Sequence, residues 1–566
     1  MGFDAIFIDC EHGPAVWEEV ENMRREPSPL QSSIHPPSGS HFRTRCNHTQ
    51  PGCSQEETAL IKNRERTRFG LSYKSLKGIR ILTLIQRGMT VKGLIGDQFK
   101  PLREAQINRV HQTALRILEE VGVKVELEEA IQIYRKGGGR IDGNIVRIPS
   151  SAVEQALTLV PHTFLMAGRD EQNDLVLEGN RVYLGTGGAA LTVLDLETGE
   201  ARPGKLQDLA RLAHLVDALE NVHFYLRPCI PQDIPKEVMD INQFYASLSH
   251  TTKHIMGAAQ SVHTARDVIA MASMVAGGRE ALVKRPLISF VTSWMISPLH
   301  CASETTQVLL EIVRNKIPVA LSSAPMAGST SPVTLAGTLA QVHAEQLSGI
   351  VLTQLANPGS PVLYGAIPSM ADLRTMAYVG GGIEFGLMNA AISQMAQSVG
   401  VPNYNSAALT DSKIPDIQAG YEKAYSICLC AMAGSNYIHH AAGMLESMRA
   451  VAYEQFVIDN EIIGMALRLL KGIQVDDETL AFEAIREAGP SGNYLSSLHT
   501  VKFMRQEYFR QTLADRQTRE AWEESGALDG RTRARQRAKE ILRTHSPKGI
   551  DRKIDREIRQ AFDIRL

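Results

Sequence analysis

The sequence predicts an α/β fold: a (β/α)8 TIM barrel with an N-terminal helical subdomain and a C-terminal helical extension. Three observations predict it. Between residues 183 and 447 one pattern recurs eight times: a short apolar or β-branched run, a cluster of small and polar residues, then a helical stretch. The runs begin near Tyr183, Phe224, His254, Leu287, Pro318, Pro361, Pro402 and Asn436, about 30 to 43 residues apart, a spacing that suits strand, loop, helix and loop. The 566 residues, 43% hydrophobic and 22% charged, are enough for one large barrel with a helical annex, or for two or three domains. Barrels of this kind hold ligands where the strands end, so the polar residues after each run are the candidates.

Residues 1–98 read as an atypical extension. The opening GFDAIFIDCEHGP looks like a strand ending in Asp9, Glu11 and His12. It resembles a strand-end motif of the HpcH/HpaI class of pyruvate aldolases, in which the acidic residue helps bind a divalent metal. One βα unit cannot close a barrel, so the fragment reads as a fusion remnant or a misplaced start. Residues 26–58 are rich in Pro, Ser, His and Gln and poor in apolar residues, a composition expected to stay disordered.

Residues 99–180 form the helical subdomain. REAQINRVHQTALRILEEVGVKV places Ile107, Val110, Leu115, Ile117, Leu118 and Val121 on one apolar face, stopped by Gly122. Helices are expected over 128–134 and 150–159, with a short strand at 144–148. The barrel occupies 181–450. Beyond it, 451–566 reads as helices over 453–470 and 477–488, then about fifty highly charged residues expected as a solvated or oligomer-facing surface.

Composition excludes several classes. A formal net charge of -2 offers no basic surface for nucleic acid. No apolar run approaches the roughly 18 to 20 residues of a membrane span, and the N-terminus lacks a secretory pattern. Seven scattered cysteines, an odd count, suggest reduced thiols and a cytoplasmic setting. Cys428 and Cys430 lie two apart on a helix and read as core thiols.

The strand ends supply the candidates in order: Gly185 to Gly188, Arg227, Gln260, then Thr292, Ser293, Trp294, Ser297 and His300. Strand five offers Ser322 and Ser323, strand six Tyr364, Asp372 and Arg374, and strand seven Tyr404, Asp411, Ser412 and Lys413. Strand eight offers His439, His440, Gly443, Glu446 and Ser447. HExxH, GxSxG and paired-cysteine motifs are missing, and GTGGAA lacks the Lys and Ser/Thr of a phosphate loop. A lining of rings, hydroxyls and small residues suits a cation or neutral molecule better than proton transfer. No metal site is expected.

Four segments carry a resemblance: residues 332–391, DSKIPDIQAGYEK at 411–423, AGMLES at 442–447 and VIDNEI at 457–462. Over about residues 99–545 the chain is similar to the trimethylamine methyltransferase (MttB) superfamily. Founding members carry pyrrolysine in the barrel, at a place corresponding to the segment 406–413. This chain has only standard residues and so resembles the non-pyrrolysine branch, glycine betaine methyltransferase among it. The resemblance implies methyl transfer from a quaternary or tertiary amine to the Co(I) corrinoid, a cobamide, of a separate corrinoid protein docked over the barrel mouth. On that reading Trp294, Tyr364 and Tyr404, with Tyr437 behind them, supply cation–π contacts. Arg227, Arg374 or His440 meets a betaine carboxylate, and Asp372 and Glu446 complete the binding set.

Asp411, Ser412 and Lys413 are the catalytic candidates. Plainer roles stand beside these: core packing for Trp294, an ion pair for Asp372–Arg374, a helix cap for Asp411, a loop brace for Glu446. Alternative functions are a non-catalytic amine-binding paralogue or a different barrel lyase. A homo-oligomer is the expected assembly.

Overall fold

The computed structural model describes residues 92–566; Asp9, Glu11, His12 and the stretch 26–58 lie outside them. Eight parallel strands surround one axis: β1 (Arg181–Thr186), β2 (Phe224–Leu226), β3 (His254–Gly257), β4 (Ile288–Thr292), β5 (Val319–Ser323), β6 (Val362–Ala366), β7 (Tyr404–Ser406) and β8 (Tyr437–Ala442). Each begins within two residues of the position read from the sequence. They pair in the order β6-β5-β4-β3-β2-β1-β8-β7. A parallel bridge between Tyr364 and Asn403, with the Tyr364 N–H 2.9 Å from the Pro402 carbonyl, joins β6 to β7. That one bridge nearly closes the ring. A hairpin of Phe164–Met166 and Leu175–Leu177 packs at the N-terminal end, where Val176 N–H reaches the Tyr183 hydroxyl at 3.1 Å and Ala167 N–H reaches Pro286 O.

Six helices position the site: α1 (Glu104–Arg116), α2 (Met239–His250), α3 (Leu335–Ala356), α4 (Ile383–Ser398), α5 (Ile417–Met432) and α6 (Tyr453–Leu470). Helix α3 is buried without a break from Thr338 to Gln354. It is wedged between the barrel wall and the N-terminal helices, which explains why its sequence shows no one-sided apolar stripe. The N-terminal helices Glu104–Arg116, Glu128–Lys136 and Ser150–Leu159 share one hydrophobic core with α3 and β4–β6.

Two expectations change. Val121 is exposed, not part of the buried face. The turn Ile117–Val121 closes with an i+5 bond, Gly122 N–H to Ile117 O at 2.8 Å, and the extra residue swings Val121 outward. The charged C-terminal residues are also not simply solvated. Helix Gly530–Thr544 buries Ala534, Ala538 and Ile541, and its Arg531 and Arg535 each reach the buried Glu454 at 3.1 Å.

Candidate active site

Phe224 of β2 and Tyr437 of β8 stack at 3.5 Å between ring centroids and 15° between planes. Strand β1 lies between their strands, and its Gly185 faces them: a Cβ there would sit 2.3 Å from the Phe224 ring. Side chains from alternate strands that meet across a third lie in the lumen, the layered packing of such barrels. From this pair a chain of rings continues along the lumen. Tyr404 lies 5.9 Å from Tyr437, His439 stacks on Tyr404 at 4.0 Å and 11°, and His440 lies 3.9 Å from His439.

Neighbouring strand residues normally face opposite sides. Here β8 shifts register against β1 between Ile438 and Ala442, and His440 adopts a φ of 62°. The bulge is what brings both imidazoles together. Ser406 Oγ lies 2.7 Å from His440 Nδ1, and Gly187 backs onto His440 so closely that a Cβ would meet its backbone nitrogen at 2.5 Å. His439 Nδ1 lies 2.7 Å from the Asn405 carbonyl, which fixes the proton on that nitrogen.

Burial lowers His439 to about 3 and His440 well below its ordinary value, the latter also through His439 and Lys423. Both rings are neutral near pH 7. The Tyr437 hydroxyl is buried with no hydrogen-bond partner among the described residues.

The structure thus brings Tyr404, Tyr437 and His440 of the sequence candidates together. It sends two others elsewhere. Tyr364 faces the helix layer, its hydroxyl 2.7 Å from His343 Nδ1 on α3, with His343 Nε2 2.8 Å from His111 on α1. Strand alternation decides this, since Leu363 takes the inward face of β6 and packs with the lumen cluster. Trp294 lies past the end of β4 against α3, where Gly349 makes room: a Cβ there would lie 2.4 Å from the indole. Neither supplies a ring to the lumen.

Arg227 is buried at the end of β2 and donates to Gln243 Oε1 of α2. Arg374 is exposed on the loop after β6 and pairs with Asp372 at 2.9 Å, whose carboxyl is held down to about 2 by that guanidinium.

The strand-seven candidates act as loop ties. Asp411 accepts the N–H groups of Gly380 (3.0 Å) and Gly381 (3.2 Å) and the Ser447 hydroxyl, linking the loops after β6, β7 and β8. It is not the helix cap; Asp416 caps α5 by accepting Ala419 N–H at 3.0 Å. Ser412 Oγ lies 2.8 Å from Asp416, and the exposed Lys413 reaches only the Asp411 carbonyl, at 2.8 Å. Glu446, half-buried, donates its backbone N–H to Ser412 O at 2.9 Å.

Beneath these loops is a feature that strand-end reading missed. Lys423 of α5 lies 3.0 Å from Asp459 of α6 and 2.8 Å from the Ala408 carbonyl, and Asp459 accepts Gly443 N–H at 2.7 Å. Phe224, the first residue of β2, was missed as well. Among the described residues, no group of three or more His, Cys, Asp or Glu is disposed to hold a metal, and no helix is long and apolar enough to cross a membrane.

Fold and site together define a (β/α)8-barrel protein whose lumen is packed with rings, from Phe224, Tyr404 and Tyr437 at the starts of β2, β7 and β8 to His439 and His440 further along β8. Residues 86–565 match the family model described as trimethylamine methyltransferase (MTTB), and the chain belongs to that family. It is 36% identical over 486 residues to trimethylamine methyltransferase MttB of Desulfitobacterium hafniense (strain DSM 10664 / DCB-2), covering 86% of this chain and 97% of that protein. It is 34% identical to the glycine betaine methyltransferase of Desulfitobacterium hafniense (strain Y51), covering 83% and 98%. To the MttB of Methanosarcina barkeri (strain Fusaro / DSM 804) it is 33% identical, covering 81% and 93%. With standard residues throughout, it falls in the non-pyrrolysine branch.

Proposed function

We propose that this chain is a methyltransferase that moves a methyl group from a quaternary or tertiary methylated amine, such as a betaine, to the Co(I) corrinoid of a separate corrinoid protein. The chain of rings Phe224, Tyr437, Tyr404 and His439 carries the proposal. Aromatic faces attract an ammonium by their quadrupole, each desolvated contact contributing about 2 kcal/mol, and the faces that can do so here are those turned away from the Phe224–Tyr437 and Tyr404–His439 stacks. Because burial keeps His439 and His440 neutral, an entering cation meets no like charge from either ring.

When docked, the corrinoid supplies the nucleophile. A quaternary ammonium, or a tertiary amine carrying its proton, leaves as a neutral amine, so no further proton donor is needed, which fits two histidines that burial keeps neutral. What remains for the chain is to hold the N-methyl carbon in line, exclude water and open the mouth to a partner. Alignment of this kind is worth roughly 7 to 11 kcal/mol. Arg227, buried and close to the strand ends, is the proposed partner for a substrate carboxylate, since a guanidinium binds one bidentately. For the partner protein, the loops and helix starts after β5, β6 and β7 present the exposed side chains Val333, Leu373, Ile383, Ile417 and Tyr421. An apolar rim of this kind favours protein contact over the mouth.

The test is a cobalamin methylation assay. Cobalamin is reduced to Co(I), the chain and one candidate amine are added, and the cobalamin absorbance is followed. Methylation with a quaternary amine is expected. None with any methylated amine, repeated with the native corrinoid protein, would sink the proposal and leave an amine-binding paralogue.

A further inference from the structure

Residues 471–507 leave the protein and return to the same place. Arg468 Nε donates to Glu507 O at 2.7 Å, and Gly464 lies against Phe509, closing the base of this excursion. Within it stand two short helices, α7 (Phe482–Ala488) and α8 (Leu498–Glu507), and neither contains a buried residue. Yet the excursion is rich in large apolar side chains. Ile473, Leu495 and Leu498 are 87%, 90% and 87% exposed, and Phe482 and Val501 are also exposed.

Such exposure is costly in water. The apolar area involved is on the order of 1,000 Å² per copy, more than the largest patch of an ordinary monomer. A stable interface needs about 800 Å² from each partner, so the arm alone is large enough to hold one.

Charge selects the occupant. The first half of the arm is net acidic, with Asp476, Asp477, Glu478, Glu483 and Glu487 against Lys471 and Arg486; the second half is net basic, with Lys502 and Arg505 against Glu507. Lys502 already pairs with Glu478 within one arm. A two-fold axis between two arms would set the acidic half of each against the basic half of the other, a self-complementary match. Position argues against a partner seated over the mouth. The arm emerges from the end of α6, whose 18 residues run about 27 Å back from the strand ends.

We infer that residues 471–507 are an oligomerisation arm, and that its partner is the same arm of a second copy of this chain. The groove between α7 and α8, about 870 Å³ and lined in part by Leu480, Phe482 and Leu498, is where the partner's apolar side chains seat.

The experiment is sedimentation equilibrium on the full chain and on Leu495→Glu/Leu498→Glu. The wild type is expected to associate, and the variant's dissociation constant to rise at least about 100-fold with an unchanged circular dichroism spectrum. A monomeric wild type, or a variant that assembles as the wild type does, would overturn the inference. A second measurement covers a variant that misfolds: a photo-crosslinking residue at position 495 in mixed heavy- and light-isotope chains. Mixed-isotope links from arm to arm are expected. Links confined to one chain, its residues 1–91 included, or formed only with a corrinoid protein, would also overturn it.

Discussion

Lys423 Nζ and Asp459 Oδ2 are 3.0 Å apart, and neither side chain is exposed. Burial lowers the lysine and raises the aspartate, so each charge is held against the desolvation of its site by the other and by hydrogen bonds. Those bonds run to Ala408 after β7 and Gly443 after β8. The pair therefore fixes the two loops that flank His440.

Removing one partner leaves a buried, uncompensated charge. Lys423→Met is expected to destabilise the protein by about 3 to 5 kcal/mol. Lys423→Met/Asp459→Leu, which removes both charges, should lose markedly less. Urea denaturation of the three proteins measures this. Equal losses for single and double variants would show that the pair does not act as a unit.

Tyr437 separates the work of a ring from that of its hydroxyl. Tyr437→Phe keeps the stack on Phe224 and deletes a buried hydroxyl without a partner. It should leave amine binding intact and raise stability by about 1 to 3 kcal/mol. Tyr437→Ala removes the ring and should weaken binding of the cation by about 30-fold, the equivalent of about 2 kcal/mol. Calorimetric titration and thermal melts of both variants give the comparison.

Tyr364 and Trp294 are expected to behave as structural residues. Tyr364→Phe deprives the buried His343 of its 2.7 Å partner and should cost about 1 to 3 kcal/mol in stability. KM for the amine should not move. A raised KM without a stability loss would return Tyr364 to the binding site.

Stability should fall as the solution is acidified. Burial holds His223, His343 and His439 down to about 3 and His254 to about 4. Each folded value lies below the ordinary 6.5, so the unfolded chain binds more protons between them. The stability these rings confer is full above pH 6.5 and is lost as the pH drops to about 4 for His254 and about 3 for the other three. Four such groups together approach about 5 kcal/mol per pH unit in mid-window. Glu345 has the opposite sign: burial raises it to about 7, so its contribution is lost as pH rises from its ordinary value to 7. As a single group it offsets only part of the slope. A melting temperature that holds level from pH 7 to pH 5 would contradict this.

The barrel was legible because a strand buried on both faces reads as a short apolar run, and eight such runs appear at near-regular spacing. The site was legible only in part. Reading strand ends identifies how far along a strand a residue lies, not which face it takes. Alternation turned Tyr364 outward, and the bulge at His440 brought two successive histidines inward against the ordinary rule. Lys423 and Asp459 sit on separate helices, where spacing carries no sign of their contact. Asp411 looked like a cap by its place before a helix, but the loop runs five residues further to Asp416.

The most direct test of the account compares glycine betaine with its neutral isostere, in which a quaternary carbon replaces the nitrogen, by calorimetric titration into the full chain. The two match in shape and carboxylate and differ in the cationic centre. Recognition by the Tyr404 and Tyr437 rings predicts that the betaine, or another methylated ammonium tested against its own isostere, binds at least about tenfold tighter. Equal affinity for cation and isostere throughout would show that the rings serve packing alone, and would contradict the reading of this barrel as a methylated-amine site.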